Sequence, residues 1–180
     1  PIPQNLDELE TPSWSPDIID DYTEMVKAYG MGLQLPMQAS RGCTFKCTFC
    51  SETRLYRYKN NKKIVADMKK MVDETGINNF WFTDSLINGS MPLFKKLVGR
   101  METEVENGNI PKMYWGGHFR THKKLDGELL TRAVGVGLNY MNVGIENGSD
   151  KIFDCKIFTS EELAKRKENY TGSLASKRKF

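Results

Sequence analysis

The sequence predicts an α/β fold built on parallel strands, and three observations carry that prediction. Short apolar runs alternate with stretches of helical period four times between Leu35 and Leu163. Glycines and capping residues punctuate the alternation. The second run, Asn79-Phe80-Trp81-Phe82-Thr83-Asp84, is almost wholly apolar, as a strand buried on both faces should be. Alternation of this kind means parallel strands joined by right-handed crossovers. Four units with strands this short suit part of a barrel or an open doubly wound sheet.

The elements follow in order. Residues 1–34 read as a linker and a lead-in helix: Pro1 to Pro16 is acidic and proline-rich, with Leu6, Leu9 and Trp14 lying against the outside of the domain. Pro16 opens a helix whose apolar face is Ile18, Ile19, Tyr22, Met25, Val26 and Tyr29, with Gly30 as its stop. Leu35 to Ala39 is the first strand. Asn61 caps the next helix, which carries Ile64, Val65, Met68, Met71 and Val72 and ends at Gly76. After the second strand, Ser90 caps a helix with the stripe Leu93, Phe94, Leu97, Val98, Met101 and Val105, closed by Gly108. Met113 to Gly117 is the third strand. Asp126 caps a helix that stops at Gly135 or Gly137, and Tyr140 to Ile145 is the fourth strand. Ser149 caps a further turn, and Thr159-Ser160-Glu161-Glu162 reads as a capping box.

The chain's 180 residues suffice for one domain with a core. Its 39% hydrophobic and 27% charged residues are ordinary for a soluble protein, and no apolar run is long enough to span a bilayer. No signal peptide is evident, so a reducing cytoplasm is the expected location. The net charge of +3 is unevenly placed: Lys165, Arg166, Lys167, Lys177, Arg178 and Lys179 against Glu168 give the last stretch +5, which leaves −2 elsewhere. The body has no basic excess, and nucleic acid is not an expected partner. Residues 164–180 read as a basic, disordered or non-native tail.

The chemistry concentrates in Cys43-Thr-Phe-Lys-Cys47-Thr-Phe-Cys50. Three thiolates this close can grip a metal centre together and leave a fourth position open. Cys47 and Cys50 alone would also suit a thioredoxin-like redox pair, but such a pair does not need Cys43. A structural zinc site wants a fourth ligand, for which Cys155, His118 and His122 are distant candidates.

With its flanks, Ser40-Arg41-Gly42-Cys43-Thr44-Phe45-Lys46-Cys47-Thr48-Phe49-Cys50-Ser51 resembles the signature of the radical S-adenosylmethionine (radical SAM) enzymes. The resemblance runs from about residue 35 to 163. It implies a partial parallel (β/α) barrel, a [4Fe–4S] cluster on Cys43, Cys47 and Cys50, and S-adenosylmethionine chelated at the open iron. The implied reaction is reductive cleavage to a 5′-deoxyadenosyl radical, with an electron donor such as flavodoxin or ferredoxin as partner. The family's barrel has six units and about four are read here, so the chain is expected to be a truncated or mispredicted version of a longer enzyme. The lead-in Asn5-Leu6-Asp7-Glu8-Leu9 with Pro12 is similar to the segment preceding the core in cobalamin-binding members. Cobalamin is therefore expected only through a domain outside this chain. An inactive remnant that binds a cluster or zinc without turnover is the alternative.

In parallel α/β folds the site forms where strands end at their carboxyl side. The resemblance places Phe49 on the adenine, and Asp84, Arg120 and Glu146 against the amino, carboxylate or ribose groups of S-adenosylmethionine. Each has a plain alternative: Phe49 as a plug, Asp84 as a turn residue, Arg120 as a surface arginine. Glu146 belongs to Gly144-Ile-Glu-Asn-Gly-Ser149, similar to a Gly-Ile-Glu-Ser-Gly-Ser run of the family, and a glutamate at an apolar strand end needs a partner. His118 and His122 read as polar loop residues and Cys155 as an incidental thiol. Arg41, Lys46 and Arg54 flank the cysteines and either temper a cluster's charge or solvate the loop. The substrate is not legible.

Overall fold

A computed structural model describes residues 5–29, 32–47, 50–52 and 54–144. Four parallel strands form one sheet: β1 (Leu35–Met37), β4 (Asn79–Phe82), β5 (Tyr114–Arg120) and β6 (Leu138–Gly144), in that spatial order. A second, two-stranded antiparallel ladder joins β2 (Ser40–Arg41) to β3 (Arg57–Tyr58). The helices are α1 (Pro16–Ala28), α2 (Asn61–Thr75), α3 (Met91–Glu106) and α4 (Gly127–Gly135), after a 3-10 turn at Leu6–Glu8. Each main strand lies beside the next one in sequence, so right-handed crossovers carry every connecting helix to the same face. That is the winding of a barrel and not of a doubly wound sheet.

The core lies between that face and the helices. Leu35, Met37, Phe80, Phe82, Trp115, Phe119 and Leu138 point into it and meet Ile64, Met68, Met71, Phe94, Leu97, Met101 and Leu129. Phe94 packs edge-on against both Trp115 and Phe119, with ring centres 6.3 and 5.6 Å apart. The buried Trp115 indole donates to Val136 O at 3.0 Å, which satisfies its one polar atom.

The opposite face is only half covered. One register row runs Pro36, Trp81, Gly116, Tyr140. A Cβ on Gly116 would come within 2.5 Å of Tyr140 O, so only glycine lets the neighbouring strand approach. Over that glycine the Trp81 and Tyr140 rings stand 5.5 Å apart. The helix α1 borders this face across a cleft of about 1140 Å³ lined by Trp14, Ile18, Tyr22, Pro36 and Trp81.

Several expectations change. Helix α2 is capped by Asn60, whose side chain accepts from Lys62 N at 2.9 Å, and not by Asn61. Asp7 Oδ1 accepts from Asn60 N at 2.6 Å, fixing the extended entry that a cap requires. The second strand is not buried on both faces: Phe80 and Phe82 are buried, but Asn79 and Trp81 are half-buried. The third strand continues past Gly117 through Arg120, because β6 pairs with it from Trp115 to Arg120. Its glycines mark close strand approach, not the strand's end. His118 therefore sits within the strand, 5.3 Å edge-on from Trp81, and not in a loop. The expected apolar face of α1 is largely open, with Ile18, Met25 and Tyr29 exposed and Val26 buried. Gly76 ends α2 in the left-handed conformation and Asp126 caps α4, in line with the sequence, whereas Leu6, expected against the outside of the domain, is buried. The expected elements at Ser149 and Thr159–Glu162, the rest of the fourth strand after Gly144, and the tail lie outside the described residues.

Candidate metal and cofactor site

The cysteine loop is an excursion closed at its base. The β2–β3 ladder pairs Ser40 with Tyr58 and Arg41 with Arg57, and Lys59 N donates to Ala39 O at 2.8 Å. Gly42, just before Cys43, has φ +79°, and a Cβ there would lie 2.5 Å from the carbonyl oxygens of Arg54 and Leu55. The entering and leaving chains thus touch through backbone alone.

Within the loop, Phe45 N donates to Cys43 Sγ at 3.5 Å, Glu52 N to Cys50 Sγ at 3.4 Å, and Cys50 N to Cys47 O at 3.1 Å. All three thiols are unbridged; Cys43 and Cys47 are half-buried and Cys50 is exposed. Burial pushes the Cys43 thiol up, the Phe45 N–H pulls it down, and the charges of Cys47 and Cys50 raise it again while Arg120 lowers it. The three sulfurs and the Arg120 guanidinium therefore share one electrostatic neighbourhood.

Among the described residues no three His, Cys, Asp or Glu side chains converge on a single-ion site. Three thiolates in one loop are a donor set that would suit an iron–sulfur cluster. Backbone N–H bonds onto Sγ are the kind of contact that stabilises charge on cluster sulfurs. The residues present thus fit an iron–sulfur cluster held by Cys43, Cys47 and Cys50.

The carboxyl ends of β4 and β5 hold the loop from below. Asp84, 1% exposed, accepts from Ala39 N at 3.0 Å and from Ser40 Oγ at 2.5 Å. Burial pushes its carboxyl above the usual range against the pull of those bonds. Ser85 Oγ donates to Glu52 Oε2 at 2.9 Å, and Arg54, bonded through side chain and backbone, lowers Glu52 to about 2. Thr44 Oγ1 donates to Gly89 O at 3.1 Å. Arg120, the last residue of β5, stacks its guanidinium 3.6 Å above the Phe45 ring. Its backbone is gripped by buried Asn88, which accepts from Arg120 N at 3.0 Å and donates to Arg120 O at 2.7 Å. A pocket of about 570 Å³ opens beside these groups, lined by Thr44, Phe45, Tyr56, Ser90, Arg120 and His122.

Of the sequence-derived candidates, the three cysteines lie in the loop over this end of the sheet, and Arg120 meets that loop at Phe45. Asp84 lies beneath the loop, with both carboxylate oxygens occupied by Ala39 and Ser40. Phe49, Glu146 and Cys155 lie outside the described residues. His118 is turned to the half-covered sheet face. Sequence reasoning missed the roles of Ser40, Glu52, Ser85 and Asn88: a single polar residue carries no spacing signal, and only the fold brings Glu52 to Ser85, 33 positions away.

No protein-family model matches the chain. Among curated proteins it is 31% identical over 175 residues to the anaerobic magnesium-protoporphyrin IX monomethyl ester cyclase of Cereibacter sphaeroides, covering 93% of this chain and 27% of the relative. It is 30% identical over 157 residues to cytidylyl-2-hydroxyethylphosphonate methyltransferase of Streptomyces wedmorensis, covering 82% of this chain and 28% of the relative. The chain thus spans about a quarter of the length of these relatives. Among solved structures, the radical S-adenosylmethionine methyltransferase TsrM of Kitasatospora setae shares the fold at a TM-score of 0.59 and 20% identity, over 75% of this chain and 26% of that one. That protein has been solved with tryptophan and a SAM analogue, and with cobalamin and a [4Fe–4S] cluster.

Proposed function

The chain belongs to the radical SAM superfamily over the stretch it shares with these relatives, and on that premise we propose that it binds a [4Fe–4S] cluster through Cys43, Cys47 and Cys50 and S-adenosylmethionine beside it. The observation that supports this most is the loop itself: three unbridged thiols, two of them already receiving backbone N–H bonds, mounted over the carboxyl ends of β1, β4 and β5. When bound, the cluster would supply the electron that cleaves S-adenosylmethionine to a 5′-deoxyadenosyl radical.

The chain's own residues divide the remaining work. The Phe45 and Glu52 N–H groups hold charge on the Cys43 and Cys50 sulfurs. Arg120, fixed by Asn88 from behind and by the Phe45 face, presents a positive charge at the sheet's end, suited to a carboxylate. Phe49 and Glu146 are proposed, on the resemblance, for the adenine and for the ribose or amino group. Cobalamin use, an electron donor of the flavodoxin or ferredoxin kind, and a cytoplasmic location belong to the same proposal. No helix among the described residues is long and apolar enough to cross a membrane.

Anaerobic reconstitution with iron and sulfide, followed by electron paramagnetic resonance of the reduced protein, tests it. The expected result is a cluster signal that changes shape on addition of S-adenosylmethionine and disappears in Cys47→Ala. A signal indifferent to S-adenosylmethionine reduces the chain to a cluster-binding module, and zinc bound in place of iron overturns the reading.

A further inference from the structure

Resting on that cluster reading, we infer that Asp84 and Ser85, the neighbouring residues just after β4, act as a two-sided clamp that positions the cysteine loop. Asp84 reaches the loop's entrance, where its carboxylate takes the Ala39 N–H and the Ser40 hydroxyl. Ser85 reaches the exit, where its hydroxyl donates to the Glu52 carboxylate at 2.9 Å. The backbone N–H of that same Glu52 points at Cys50 Sγ. One dipeptide on a rigid strand end thus grips both limbs of an excursion that runs from Ala39 to Glu52.

Two features argue that this is more than incidental loop bonding. The limbs already meet through Gly42 and the Arg54–Leu55 backbone, so chain closure does not need the clamp. What the clamp adds is a fixed position of the loop relative to the sheet. Glu52 is also held in one rotamer, by Arg54 Nε at 2.9 Å and Arg54 N at 3.0 Å, so the Ser85 contact is transmitted to its backbone and to the Cys50 sulfur. Asp84 and Ser85 are in this sense positioning residues.

The test compares Ser85→Ala with Ser85→Thr, since Ser85 is exposed and its loss leaves the core intact. In the iron-free protein, tryptic cleavage after Lys46 and Arg54 is expected to speed up about tenfold in Ser85→Ala, the scale of a lost hydrogen bond to a carboxylate. The thermal midpoint should fall by only a few degrees. In the reconstituted protein, loss of iron to a chelator should speed up by a similar factor, and Ser85→Thr should restore both rates. Wild-type cleavage rates in Ser85→Ala, or a Ser85→Thr variant no better than alanine, overturn the clamp while leaving the cluster assignment standing. A wild-type chain that takes up no iron overturns the cluster assignment instead, and the cleavage rates then decide on the clamp as a loop restraint alone.

Discussion

Replacing Gly42 by alanine should loosen the cysteine loop. The residue has φ +79°, a conformation that costs an alanine about 1–2 kcal/mol. The new Cβ would also stand 2.5 Å from Arg54 O and Leu55 O, both backbone atoms that cannot rotate away. Overpacking of that kind costs about 1–3 kcal/mol. The sum is about 2–5 kcal/mol, which at its lower end is about a 30-fold shift toward an open loop. Amide hydrogen exchange reads this directly. The Lys59 N–H, bonded to Ala39 O at the loop's base, should exchange about 30-fold faster, and amides in the middle of α3 that exchange only by global unfolding should speed up by no more than that factor. Iron uptake should fall in parallel. If the Lys59 amide exchanges within about threefold of wild type, the strain is being absorbed elsewhere and the argument from Gly42 fails.

Asp67→Ala should destabilise the chain by about 3–5 kcal/mol in urea melts, because Lys59, with 5% of its side chain exposed, loses its buried partner at 2.9 Å. The same carboxylate predicts acid sensitivity. Burial raises its pKa, but the bonds from Lys63, Thr11 and Lys59 lower it further, so it ends below the ordinary aspartate value. A depressed folded value means the stabilisation is complete above the unfolded pKa of about 3.9 and is lost as pH falls through the folded one. Melting midpoints should thus drop below about pH 4, and less steeply in Asp67→Asn. Trp115→Ala, which empties the centre of the core and leaves Val136 O unpaired, should cost about 3–5 kcal/mol in the same assay.

Features written locally along the chain were legible from the residues alone. The spacing of Cys43, Cys47 and Cys50 placed three thiols in one loop, and the apolar period placed α2, α3 and α4 within a residue or two of their observed bounds. Gly76 and Asp126 ended and started helices as short-range backbone chemistry requires. Partners far apart in the chain were not legible. Gly116 and Gly117 read as the end of a strand, because the sequence does not show that Tyr140 and Phe82 press on their backbones. His118 and Arg120 were displaced into a loop by the same misreading. Asp84 stood out as a carboxylate at a strand end, but which atoms it faces was decided by β1 lying beside β4, 45 residues away, which turns the Ala39 N–H and Ser40 hydroxyl onto it. The chemistry-bearing atoms were set by the sequence, and their orientation by strand register, since register alone brings groups distant along the chain within hydrogen-bonding reach.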